Sequence, residues 1–500
     1  MPDHSSRCRH QEQAGRGVPE RGFVRGLGLL DCTMLVAGSM IGSGIFIVSA
    51  DIARQVGSPG WLLTVWVIAG ALTIIAALSY GELAAMMPHA GGQYVYLREA
   101  FGPMSAFLYG WALFVVIQTG TIAAVAIAFA RFMGVLWPSV SPNELLLDYG
   151  YITVPGIGHL SLSLSTLQLV AILSIVLLTL TNLTGLRTGK IIQDVFTVAK
   201  LGALIGLIGL GLFAFHTPEA AIHARGFWTP VAEGDTIPLL ALIPVLATAM
   251  VGALFSADAW NNITFAGAEV KDPRRNIPLS MALGTGLVIL LYVLANLVYL
   301  AALPMTAIQE APEDRVGVAV AQVLLGEHAE TLMAIAIMIS CFGCNNGLTL
   351  AGARVYFSMA RDGLFFAKIG TLNSHRVPGT ALLLQGFWSV LLTLPRSYHP
   401  ETQTYSNLYS NLLDYIVFAV LLFYILTVAG IFVLRRKRSE AERPYRALGF
   451  PALPALYMAC AGFICLVLLL AEKTRLNAGL GLALVLAGWP VYWLWRSRRD

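Results

Sequence analysis

The chain has 500 residues, of which 57% are hydrophobic and only 12% charged, with a mean hydropathy of +0.71. Soluble domains carry roughly 25% charged residues, so this composition excludes a soluble enzyme or a nucleic-acid binder and points to a chain that crosses a membrane many times. The net charge of +4 matters less than where the charges fall.

Residues 1–25 are polar and basic, and no short cleavable apolar region follows them, so the first apolar run is expected to stay as an anchor behind a cytoplasmic tail. That run, 27–50, exceeds the roughly 20 residues needed to cross a bilayer. Its centre reads Ile41-Gly42-Ser43-Gly44-Ile45-Phe46. Glycine inside a helix costs about 1 kcal/mol relative to alanine, and backbone groups freed from a helix cannot be left facing lipid. Two readings fit: close packing of helices through small residues, or a broken helix whose half-helix ends face a site at the bilayer midplane.

Eleven further apolar segments follow, near 61–86, 104–136, 166–184, 191–215, 239–268, 279–302, 330–360, 379–396, 411–434, 451–471 and 476–495, separated by prolines and polar loops. The expected fold is an all-α polytopic membrane protein of twelve transmembrane helices. Of the 32 lysines and arginines, most fall in the tail, in alternate loops and in 435–446. The other face has Arg54, Arg225, Arg315, Arg396, Lys473 and Arg475, while Arg131, Lys200 and Arg354 lie within helices. The positive-inside rule then places both termini in the cytoplasm of a cell that holds the protein in its plasma or inner membrane.

Segments 1–5 (26–215) and 6–10 (239–435) have nearly equal lengths, and 447–500 adds the last two. Five is odd, so the second set enters the membrane inverted relative to the first, an arrangement transporters use with interrupted helices at corresponding places. Segment 6 has such an interruption at a comparable offset, Phe255-Ser256-Ala257-Asp258-Ala259-Trp260-Asn261-Asn262. Two matching breaks favour the site over simple packing.

Asp258 lies near mid-membrane, where a charge costs at least about 2.5–3.5 kcal/mol. Three uses are open: partner to a cationic group, protonatable coupling site, or acceptor for freed N–H groups. Lys200 lies some ten residues into segment 5, within reach of snorkelling, or else placed to bond freed carbonyls of the first helix. Arg131 and Arg354, near opposite ends of their helices, are expected to snorkel. Glu82 and Glu269 are expected to pair with loop arginines. Gln118, Thr119 and Thr121, like Ser340, Asn345 and Asn346, either line a pathway or bond to neighbouring helices. Cys341 and Cys344 form a CxxC inside an apolar helix without a second pair, which reads as packing and not as a metal or redox site. No histidine lies in a central helix and no carboxylate or serine–histidine pair is placed for catalysis, so an enzyme is not expected, nor a cofactor or metal.

These motifs resemble the amino acid–polyamine–organocation superfamily, and most closely its L-type amino acid transporter branch. The resemblance covers about 23–440 and rests on Gly38-Ser39-Met40-Ile41-Gly42-Ser43-Gly44-Ile45-Phe46, Tyr80-Gly81-Glu82-Leu83 and Gly91-Gly92-Gln93-Tyr94-Val95-Tyr96. Phe255 through Asn261, Glu269 through Pro278 and Ala360-Arg361-Asp362-Gly363 extend it. It implies a 5+5 inverted-repeat fold with helices 1 and 6 unwound, and sodium-independent transport of an amino acid by alternating access, with exchange favoured. It further implies that backbone N–H groups of Ile41, Gly42, Ser43 and Gly44 take the substrate carboxylate. Carbonyls of Ile41, Phe255, Ser256 and Ala257 would take its ammonium, with Phe255 closing over it and Lys200 linking segments 1 and 8. Asp258 departs from the small residue many members have there and looks like members that accept dibasic amino acids, so cationic substrates and proton-coupled symport stay open. A transporter-like sensor is a further alternative. The 137–165 loop has no cysteine, so the disulfide-linked heavy chain of animal members is not expected.

Overall fold

A computed structural model describes residues 23–154, 158–214, 227–232, 235–236, 238–326, 329–399, 404–405 and 408–496; most of the expected cytoplasmic tail lies outside them. Helices dominate. Among the described residues nine are long and apolar enough to span a membrane, and ten if one bent pair counts as a single span. The chain is a multi-pass membrane protein.

The bent pair is the first apolar run. Helix α1 (Leu29–Met40) stops, and α2 (Gly44–Val56) restarts at 41° to it. Ile41 between them is extended, so the interruption read from the glycines is a break in the helix itself. Next come α3 (Pro59–Met86), the short α4 (Gln93–Phe101) and α5 (Pro103–Leu136), the last with a π-helical turn at Leu113–Ile117. Then α6 (Thr166–Leu183) and α7 (Leu186–Ala214) complete the first set.

Helix α8 (Leu239–Ser256) breaks where the second polar run begins and resumes only as one turn, Asn262–Phe265. Ala259 in this break is left-handed, with φ of 68°. That conformation costs a residue with a Cβ roughly 1–2 kcal/mol and persists where the surroundings over-determine it. The chain continues through α9 (Pro273–Ala302), α10 (Val316–Leu325), α11 (Ala329–Arg361), α12 (Gly379–Leu392), α13 (Leu408–Lys437), α14 (Ala452–Leu470) and α15 (Arg475–Arg496). Helices α8 and α12 fall short of the length of a full span, and α10 is a short apolar helix in a loop region.

No strand is among the elements expected from the sequence, yet a sheet forms outside the helices. Strands β1 (Leu145–Val154) and β2 (Gly158–Ser165) make an antiparallel hairpin after α5, and β2 pairs with β3 (Arg396–His399) after α12. Arg396 reinforces the junction by donating to the Pro142 carbonyl at 2.7 Å and Ser163 Oγ at 2.6 Å. Gln168, in the first turn of α6, donates to the carbonyls of Thr393 and Leu394 at 2.8 and 3.0 Å.

Ion pairs at the arginine-rich face correct two expectations. Arg354 does not snorkel: it is buried, and its guanidinium holds the equally buried Glu269 carboxylate at 3.0 Å through Nη2. Leu27 pairs with Val270, next to Glu269, in a single parallel bridge. Glu269 therefore meets a helix arginine, not one from a loop. Glu82 does bind the 435–446 region, accepting from Arg435 at 2.7 and 2.9 Å, with Arg443 at 3.3 Å. Burial works to raise the Glu99 carboxyl, but bonds and charges from Arg98 and Arg438 outweigh it and hold the group below the usual carboxylate range. On the opposite face Arg131 contacts Glu313, and Arg54 donates to Asp314 at 2.8 Å and to the Gln309 carbonyl at 2.8 Å.

Candidate substrate site at two broken helices

A break in a transmembrane helix exposes carbonyls that must find donors. Around the first break each one does. The Lys200 ammonium donates to the carbonyls of Gly38 at 2.5 Å, Ile41 at 2.8 Å and Ser340 at 3.3 Å. The Ser340 hydroxyl reaches Ile41 and Gly42 at 3.1 and 3.2 Å, and the Cys344 thiol reaches Ser39 at 2.9 Å. The Tyr292 hydroxyl completes the set at Met40, 3.0 Å away. Five consecutive carbonyls, 38–42, are thus capped by side chains from α7, α9 and α11. Lys200 is 1% exposed, so snorkelling is not its role. Cys344 of the CxxC is part of this cap, and neither of its cysteines is in a disulfide.

The N–H groups have the complementary fate. Gly44 begins α2, and the first N–H groups of a helix have no intrahelical acceptor. With the helix dipole they form a positive end suited to an anion. Glycine is required here for space: a Cβ on Gly44 would lie 2.7 Å from Ser256 Cβ and 3.1 Å from Ser256 Cα. The two breaks touch at this point. Gly44→Ala is expected to destabilise the protein by about 1–3 kcal/mol through overpacking and to abolish saturable uptake, measured as melting temperature and transport of the purified variant.

A cavity of about 300 Å³ separates the breaks, walled by Gly42, Ser43, Gly44, Phe255, Ser256, Asp258, Thr121 and Cys344. Of the residues singled out in the sequence, Gly42, Ser43, Gly44, Phe255, Ser256 and Asp258 line it. Ile41 and Ala257 are buried behind it, and Lys200 supports it from beneath the first break.

Asp258 also borders two neighbouring cavities. One, about 330 Å³, has Gln93, Tyr109, Gln118, Asn261 and Asn262 in its walls. The other, about 360 Å³, is mainly apolar, bounded by Ala76, Leu254, Val417, Leu421 and Tyr457. The Tyr424 hydroxyl donates to Asp258 Oδ1 at 2.6 Å, so α13 fixes the carboxylate where the three meet. Of the polar groups on α5, Gln118 and Thr121 line cavities, while Thr119 bonds back to the Phe114 carbonyl at 2.6 Å. Asn345 and Asn346 are structural, tying α11 to the Ile122 carbonyl and to the Gly189 carbonyl and Gln193.

Sequence reasoning missed Tyr292 and Tyr424. A signal existed for the first: Tyr292, Asn296 and Tyr299 recur at four and three residues, a polar stripe on an otherwise apolar helix. Tyr424 shares its segment with Tyr415 and Thr427 but forms no polar stripe comparable to that of α9.

Long apolar helices, two facing helix breaks with a cavity between them and a buried cation beside the first are parts that a membrane carrier uses. Comparison with known proteins narrows this. The amino acid permease family model matches residues 27–489, and the chain belongs to that family. It is 31% identical to the human large neutral amino acids transporter small subunit 2 over 485 residues, covering 96% of this chain and 82% of that protein. It is 29% identical to the human Asc-type amino acid transporter 1, covering 96% and 85%. The mouse b(0,+)-type amino acid transporter 1 is 26% identical, with 94% and 89% covered.

Proposed function

We propose that this protein is a sodium-independent amino acid exchanger that works by alternating access and takes neutral and, through Asp258, cationic L-amino acids. The observation that carries the reading is Lys200. Its ammonium sits among carbonyls freed by the first break, a place where a transporter driven by sodium would need a mobile ion. A covalently held cation does not leave with each cycle, so it cannot couple transport to a sodium gradient.

The substrate carboxylate binds the N–H groups of Gly42, Ser43 and Gly44, the Ile41 N–H being already donated to the Ala37 carbonyl at 3.0 Å against the expectation from the sequence, and its ammonium binds carbonyls of the second break at Phe255, Ser256 and Ala257. Phe255 closes over it. Helices α1–α2 and α8 with its following turn are the unwound first and sixth of twelve spans, with α12 among the twelve, arranged as two inverted sets of five and a final pair. Both termini face the cytoplasm. The protein acts without a disulfide-linked heavy chain and without a cofactor; its family consists of transporters, not enzymes.

Radiolabelled amino acid uptake into proteoliposomes tests this, with vesicles preloaded or empty and with or without a proton gradient. Uptake confined to preloaded vesicles and indifferent to sodium is the expected result. Gradient-driven uptake into empty vesicles would replace exchange by proton symport, with Asp258 and its Tyr424 partner at the coupling step. Binding without uptake would mark a sensor.

Asp258→Asn removes the charge and keeps the shape and the capacity to accept from Tyr424. Cationic amino acids are expected to lose affinity by about tenfold or more, in line with loss of one charge-assisted bond, while neutral ones change less than about threefold. Competition against a labelled neutral substrate measures both. Equal loss for both classes would return Asp258 to a structural role.

A further inference from the structure

Helix α9 presents three polar side chains on one face to the broken first helix. Tyr299 donates to the Ile45 carbonyl at 3.4 Å, Asn296 accepts from Ser49 at 2.6 Å, and Tyr292 reaches Met40. Tyr292 differs from the other two. Its hydroxyl lies 3.0 Å from the Met40 carbonyl and also 3.1 Å from the Ser256 carbonyl. That one hydroxyl is within hydrogen-bond distance of the last residue of α1 and the last residue of α8, its single hydrogen shared between their carbonyls, so it touches both breaks at once.

Its ring is fixed for that task. Tyr292 is 1% exposed, and Trp66 of α3 packs edge-on against it with centroids 5.5 Å apart. Asn296 also donates to the Tyr292 carbonyl at 2.8 Å, within the same helix. The hydroxyl position is set by a rigid helix and not by either loop.

We infer that the Tyr292 hydroxyl is a positioning group that sets the spacing between the carboxylate-binding pole at 42–44 and the ammonium-binding pole at 255–257, so that an unmodified α-amino acid engages both. This rests on the amino acid reading above. A ligand that grips both poles depends on their separation, because geometry must be correct at two places together. A ligand that grips one pole does not.

The test uses Tyr292→Phe, which keeps the ring against Trp66 and removes only the oxygen, with Tyr299→Phe as a control that bonds one break alone. In reconstituted protein, inhibition of labelled uptake is measured for an amino acid and for its matching amino alcohol, which keeps the ammonium and lacks the carboxylate. Wild type is expected to prefer the amino acid strongly. In Tyr292→Phe that preference falls about tenfold, the effect of one buried hydrogen bond lost, through a higher KM at a little-changed kcat. Tyr299→Phe leaves the preference within about twofold.

An unchanged preference in folded Tyr292→Phe, whatever its melting temperature, overturns the inference and leaves Tyr292 as packing. An equal fall in Tyr299→Phe also overturns it, since the whole face would then be responsible. Absence of saturable amino acid uptake by wild type would instead overturn the transport reading, and the two failures are told apart in the same vesicles.

Discussion

Lys200→Ala is expected to cut amino acid uptake at least about a hundredfold, equivalent to about 2.7 kcal/mol. The ammonium supplies the bond to the Gly38 carbonyl and shares the Ile41 carbonyl with Ser340. A buried carbonyl left unsatisfied costs about 1–3 kcal/mol, and the first break would relax to recover it. The N–H groups of residues 42–44 move with that relaxation. Lys200→Met keeps the stem volume and should lose as much transport with a smaller loss of stability, which separates the bonding from the packing. Lys200→Arg is not expected to rescue, because a planar fork cannot converge on three carbonyls as an ammonium does. Radiolabelled uptake together with melting curves of the purified variants reads both effects. Uptake by the alanine variant within twofold of wild type would remove the role given to Lys200.

The largest expected effect on stability lies at Glu269 and Arg354. Their side chains are 1% and 2% exposed, and taking one partner from a buried pair costs about 3–5 kcal/mol because the other charge is stranded. Arg354→Ala and Glu269→Ala should each show it as a sharply lowered melting temperature in detergent. Replacing both with apolar residues of similar volume, Glu269→Leu with Arg354→Met, should recover most of the loss. The double variant then tests function. The Glu269 carbonyl also accepts from the N–H groups of Gly26 and Leu27 at 2.9 and 3.0 Å, so the pair anchors the strap that covers the arginine-rich face. A stable double variant with altered transport assigns the pair to opening that face; normal transport leaves it a structural bond.

The helical, many-span architecture was legible because a bilayer imposes a length and a composition that sequence displays directly. The first break was legible for a related reason: Gly42-Ser43-Gly44 is costly in a helix, so its presence needs an explanation. Asp258 and Lys200 stood out as charges at a depth where charges are expensive. Partners were harder. Arg354 looked like an interfacial arginine because its position near a helix end permitted that, and only the fold showed Glu269 waiting within the protein. Tyr292 and Tyr424 act through one hydroxyl each, and tyrosine in an apolar helix is ordinary. The sheet was missed although Leu160 through Ser165 alternate strictly between leucine and serine, because that run sits in a loop between two long apolar segments and its partner β3 comes from a segment some 230 residues later in the chain, at Arg396–His399.

That sheet has a mechanical meaning. β2 joins the loop after α5 to the loop after α12, and Gln168 and Arg396 add side-chain bonds across the same seam. Segments from the two halves of the sequence are stitched at their outer ends. No rotation that opens the cavity can drive those ends apart without tearing strand pairing. The ends of α5, α6 and α12 are therefore held to one another by backbone pairing as well as by side chains.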